Sequence, residues 1–211
     1  FRRVLFRSRQ NSCSSAIRIE SSRSPCAGSE VTINMDASAE PVPASAMWLP
    51  GSALNCYEGD AERRAWLLTP GLLTQRIRDA AGARFTMHLL HEGAFGADHV
   101  REIDMCCGST PWLFAHTRVP AMTLAQNPWL GAIGGITLGE ALATRNDIER
   151  APFRYALLTD ETWLVARALE HARLAPQALW VRRSDFRVAT APFALYEVFL
   201  PAIGRPDASR A

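Results

Sequence analysis

Two charged residues stand where strand periodicity calls for apolar ones. The run FALYEVFLP, residues 193–201, puts Glu197 on one strand face with Phe193, Leu195 and Phe199. Its other face, Ala194, Tyr196, Val198 and Leu200, is no more polar, so the carboxylate meets apolar surface in either orientation. In DHVREIDMCCG, Arg101 shares the odd, core-type face with Ile103, Met105 and Cys107, while Glu102, Asp104 and Cys106 fall with Val100 on the even one. Leaving a buried charge without its partner costs about 3–5 kcal/mol. Two arrangements avoid that cost: a structural Arg–Glu pair inside the sheet, or a pocket for an anionic, partly aromatic ligand. In the second, Arg101 grips a carboxylate bidentately and Glu197 meets a hydroxyl or a proton.

Other motifs are weaker. HLLHEG is not HExxH, and His88 and His91, three apart, face opposite sides of a regular strand, so no metal site is expected. GAIGGITLG matches neither GxGxxG nor a P-loop and reads as a mobile lid. The arginines of WVRRSDFRV form a solvated face by default, or supply a second cation for a dianionic ligand. Cys13, Cys26, Cys56, Cys106 and Cys107 make no CxxC, and a reduced intracellular protein is their simplest account. A net charge of +2, with no basic block interleaved with aromatics, argues against nucleic acid. No stretch approaches the roughly 18 uninterrupted apolar residues of a membrane span.

The elements that would position these groups follow from periodicity and breakers. DAERRAWLLT reads as a short helix capped by Asp60, and LLTQRIRDAAG as a second helix ending at Gly82. ARFTMHLLHEG, DHVREIDMCCG and PWLFAHTRVP have strand character, the last two joined by a hairpin turn. After Pro120 the chain is loop-like until TLGEALAT, one or two helical turns. IERAPFRYALL is an edge or bulged strand because of its proline. DETWLVARALEHARLA is an amphipathic helix with Asp160 as N-cap, and ALWVRRSDFRVA and PFALYEVFLP form a last hairpin. Hairpins outnumber crossovers, so the class is α+β, with a single, mostly antiparallel sheet and helices on one face. Residues 1–34, rich in arginine and serine ahead of Met35, read as upstream translation or a targeting peptide. Residues 1–44 are thus expected to be disordered or non-native, 45–206 the folded domain and 207–211 a tail.

Over residues 66–201 the chain resembles the chorismate–pyruvate lyase family. The matching stretches LTQRIRDAAG, HEGAF, VREI, PWLFAHTRVP, TLGEAL, LWVRRSDFRV and YEVFLPA occur in the family's order. The resemblance implies a ligand site under two helical flaps, in an enzyme turning chorismate into 4-hydroxybenzoate and pyruvate for ubiquinone biosynthesis. It assigns the product carboxylate to Arg101 and the product hydroxyl to Glu197, both counted as catalytic and substrate-binding. Leu73 and Leu138 complete the substrate-binding set through backbone contacts; the register between Leu72 and Leu73 is open, and GITLG lacks the family's proline. A cytoplasmic monomer is implied, with no cofactor, no metal, no nucleic-acid partner and no membrane span. The alternative is a non-catalytic domain of the same fold that senses an aromatic acid. Such domains in regulators follow a DNA-binding winged helix, and residues 1–60 show no periodic helical pattern or basic recognition helix.

Overall fold

A computed structural model describes residues 40–56 and 59–205. The expected leader and the 207–211 tail lie outside the described residues. Alternating apolar positions from residue 85 onward build three long strands in succession, β2 (Phe85–Phe95), β3 (Asp98–Cys107) and β4 (Thr110–Val119), numbered after the short β1 (Leu49–Pro50). The proline of the APF stretch splits the next strand into β5 (Ile148–Arg150) and β6 (Arg154–Leu158), both of which pair with β7 (Leu179–Val188). β8 (Ala191–Phe199) closes the last hairpin and pairs with β4 on its other side. The result is one antiparallel sheet in the order β1-β6-β7-β8-β4-β3-β2, with β5 beside β7. The α+β class and the single sheet match expectation.

Among the described residues five α-helices dress this sheet: α1 (Ala61–Leu67), α2 (Leu73–Ala81), α3 (Ala121–Gln126), α4 (Leu138–Ala143) and α5 (Trp163–Ala172). Asp60 caps α1 by accepting from the Glu62 amide, and Thr137 and Glu140 form a capping box on α4. The N-cap of α5 is Thr162, not Asp160, because the Thr162 amide bonds the Thr159 carbonyl and leaves Asp160 in a turn. α1 and α2 pack their apolar sides on the face formed by Ile103, Met105, Leu113, Ala115 and Phe199. α5 lies across the opposite face, so the helices do not all sit on one face as expected; there Leu164, Val165 and Ala168 meet Phe114, Val181 and Val198. The folded body begins before residue 45: the Leu164 amide donates to the Pro41 carbonyl at 3.1 Å, and Val42 is buried in the α5 core. Cys106 and Cys107 are free and buried, whereas Cys56 is disulfide-bonded, against the expectation of uniformly reduced thiols.

Gly204, with φ +76°, lets the chain turn directly beneath Trp66: a Cβ there would lie 2.3 Å from the indole Nε1. Trp66 is buried and has no room to retreat. Gly204→Ala is therefore expected to destabilise the chain by about 1–3 kcal/mol, read as a lowered midpoint in urea.

Candidate active site

The strand face under α2 and α4 is the one that carries both suspect charges. Ile103, Met105, Leu113, Ala115 and Leu195 form an apolar floor, and the space above it is a cavity of about 350 Å³. That falls at the small end of the roughly 300–1,000 Å³ of small-molecule sites. All four residues singled out from sequence, Leu73, Arg101, Leu138 and Glu197, line it. β4 lies between β3 and β8, and register sets Ile103 and Glu197 both against Ala115. Arg101 is thus two strands and two residues from Glu197, roughly 12 Å by backbone spacing.

Neither of the two partners the other. Arg101 donates from Nη2 to the carbonyls of Gly134 and Ile136, at 2.8 and 2.6 Å, and its Nε lies 3.3 Å from Glu92 Oε1. That last approach is an ion pair without hydrogen-bond geometry, since Nε is not satisfied by it. Burial pulls the Arg101 guanidinium below its ordinary value, and the Glu92 charge offsets part of this. Glu92 also accepts from the Gly134 amide at 3.1 Å. Arginine and glutamate together therefore fasten the glycine-rich segment over the cavity from both its amide and its carbonyl.

Glu92 is a site residue that strand alternation missed. From Phe85 to Leu89 the β2–β3 pairing is regular, with His88 opposite Asp104, but a bulge between Leu89 and His91 then shifts the register. Beyond it His91 stands opposite Glu102, and Glu92 opposite Arg101. One extra residue exchanges the two faces of the strand.

Glu197 is clasped instead by Arg182, whose Nε and Nη2 reach its two oxygens at 2.6 and 2.9 Å. Arg182 is 2% exposed, so the WVRRSDFRV arginines are not all a solvated face. Its Nη1 donates to the Thr69 carbonyl in the link between α1 and α2, and its guanidinium stacks 4.2 Å from the Phe153 ring centre. The pairing was available from sequence: counting six residues back on either side of the Val188–Ala191 closing pair of the hairpin meets Arg182 and Glu197.

Leu73 and Leu138 are the first residues of α2 and α4, and both are buried. The N-cap of α2, Leu72, offers no side-chain hydrogen bond, so its first-turn amides are left for another acceptor. The helices meet above the cavity, where Arg78 reaches Glu140 at 3.1 Å. Leu72 crosses Gly139 so closely that a Cβ there would lie 2.8 Å from its Cδ2.

A larger depression, about 830 Å³, lies on the other face, and none of the four residues lines it. Among its arginines, Arg118 is paired with Glu40 and Asp98, and Arg154 and Arg183 are paired with Asp185, so their charge is already spent. On the same face Glu102 is buried. Desolvation pushes its carboxyl up, but His116 and Arg167 outweigh that and hold it below its ordinary value.

The Chorismate lyase family model matches residues 94–205. A "Probable chorismate pyruvate-lyase" of Nitrosospira multiformis is 33% identical over 157 residues, covering 66% of this chain and 87% of that protein. The chain belongs to the chorismate lyase family. A further relative with the same printed name, from Thiobacillus denitrificans, is 30% identical over 175 residues, covering 75% of this chain and 91% of its own. Among solved structures, a GntR-family transcriptional regulator from Enterococcus faecalis V583 aligns at 9% identity over 56% of this chain and 94% of its own, with a TM-score of 0.35. Among the described residues of this lyase-family chain, no helix is long and apolar enough to cross a membrane.

Proposed function

We propose that this protein is a chorismate lyase, converting chorismate to 4-hydroxybenzoate and pyruvate, the first committed step of ubiquinone biosynthesis. The observation that carries the reading is the cavity itself: a buried guanidinium and a buried carboxylate line one apolar chamber under two helix starts. Chorismate needs few catalytic groups. The C–H bond beside the ring hydroxyl breaks and its electron pair becomes a ring double bond. The ether C–O bond breaks, and the departing enolpyruvate takes up a proton to become pyruvate. Aromatisation drives the step, so holding one conformer away from water does most of the work.

In this reading Arg101 takes the ring carboxylate, which enters beside the segment that Arg101 already holds. Glu197 accepts the ring hydroxyl on lone pairs that Arg182 leaves open, and stands nearest the proton that must leave. The amides and side chains at Leu73 and Leu138 cover the ring. The protein acts as a monomer in the cytoplasm and needs no cofactor.

The deciding experiment is incubation of the purified chain with chorismate while both products are followed. Equimolar pyruvate and 4-hydroxybenzoate are expected. A protein that binds 4-hydroxybenzoate but releases no pyruvate is an aromatic-acid sensor, and the lyase reading then fails.

Closure has a kinetic consequence. A flat acid held by arginine under two flaps leaves slowly, so release limits turnover. Rapid mixing is expected to show a burst of product equal to the enzyme concentration, followed by a slower linear phase that added 4-hydroxybenzoate suppresses. Linear progress curves insensitive to product would contradict this.

A further inference from the structure

The bulge that brings Glu92 opposite Arg101 leaves His88 on the other face of the sheet, with partners that the HLLHEG motif does not announce. His88 stands opposite Asp104, and Cys106 lies two residues along β3 on the same face. His88 Nδ1 lies 2.8 Å from Asp104 Oδ1 and 3.9 Å from Cys106 Sγ, and the three donor atoms all fall within 4.8 Å of one another. From α5, His171 Nε2 comes within 2.8 Å of the other carboxylate oxygen, Asp104 Oδ2. Asp104 and Cys106 are buried, whereas the His88 side chain is 55% exposed and opens the cluster to solvent.

We propose that His88 Nδ1, Asp104 Oδ1 and Cys106 Sγ form a site for a divalent thiophilic metal ion of the zinc class, with His171 as a positioning residue. Nitrogen, oxygen and sulfur donors at about 2.0–2.3 Å from such an ion lie roughly 3.3–3.6 Å apart in tetrahedral geometry. The 2.8 and 3.9 Å separations bracket that value, so small side-chain rotations suffice. Two ligands alternate on one strand and the third is directly across from them, so the sheet holds all three in place. Binding replaces the Cys106 thiol proton, which passes to solvent, with a metal–thiolate bond. His171, in the tautomer carrying its proton on Nε2, donates to Asp104 and fixes the carboxylate, the usual outer partner of a metal ligand. The fourth position faces water on the exposed side of His88. The mixed donor set favours zinc over calcium or magnesium, which take oxygen ligands.

Titration of the chelator-treated full chain with Co²⁺, a spectroscopic substitute for Zn²⁺, tests this. One equivalent is expected to bind, with a near-ultraviolet thiolate-to-cobalt absorption that Zn²⁺ abolishes by displacement. Cys106→Ser removes that absorption, and His88→Gln, at an exposed position that keeps the fold, weakens binding by at least the roughly 10–100-fold expected for His171→Gln. Failure to bind, or binding unchanged in His88→Gln and Cys106→Ser, overturns the site and assigns the cluster to hydrogen bonds fastening α5 to the sheet. The readout involves no chorismate, so this outcome is independent of the lyase reading.

Discussion

Glu197→Gln is expected to lower the rate of pyruvate release from chorismate by at least about 10²-fold, the lower end of what a positioned acid–base group contributes. The substitution preserves shape and keeps one acceptor toward the Arg182 fork, which holds both oxygens of the native carboxylate. What it removes is the negative charge beside the ring carbon that must give up its proton. Because Arg182 is buried, its loss of a counter-charge also costs stability, within the 3–5 kcal/mol or so of a broken buried ion pair. Turnover must therefore be measured below the unfolding midpoint, with 4-hydroxybenzoate binding as the control. A folded Glu197→Gln protein with near-normal turnover removes Glu197 from the chemistry.

Arg101→Ala carries the second large effect and divides differently. Charge-assisted hydrogen bonds are worth about 1.5–3 kcal/mol each, so 4-hydroxybenzoate affinity should fall by about 10–150-fold for each bond lost. The same guanidinium holds the carbonyls of Gly134 and Ile136, so its removal also frees the segment over the cavity. Product should then escape quickly and the burst disappear, even though each turnover begins less often. Arg101→Lys keeps the charge without the planar fork and should fall between the two. Unchanged product affinity in Arg101→Ala, measured by fluorescence or calorimetry, would show that the carboxylate binds elsewhere.

Both ionic groups have a second duty that periodicity does not reveal. Arg101 with Glu92 holds the segment leading into α4, and Glu197 with Arg182 holds the Thr69 link leading into α2. Strand parity put Arg101 on the apolar face of its own strand and left the face of Glu197 open; the register, with Ile103 and Glu197 both against Ala115, is what brings the two to one face. Parity failed for Glu92, since a bulge leaves no mark in a run such as HLLHEG that is polar on both faces. It failed for Arg182 for another reason: a run of arginines looks solvated until the hairpin is folded and a carboxylate appears opposite. The even face of β3, with Glu102 and Asp104, reads as solvent-facing from composition, yet α5 covers it and supplies Arg167 and His171 as partners. Helix placement depends on which side an amphipathic segment docks, and its own sequence records only that it has an apolar side.

The single unmatched position in β2 gives this stretch an unusual freedom in chain length. Removing Leu90 would restore an unbroken ladder with Leu89 still against Ile103 and Glu92 still against Arg101, because the extra residue sits between two pairs that are consecutive on β3. One lost codon would straighten the strand and forfeit the contact that Leu90 makes with the α5 core, yet keep the roof latched. Among homologous chains, a one-residue deletion should therefore be tolerated here better than elsewhere in the long strands.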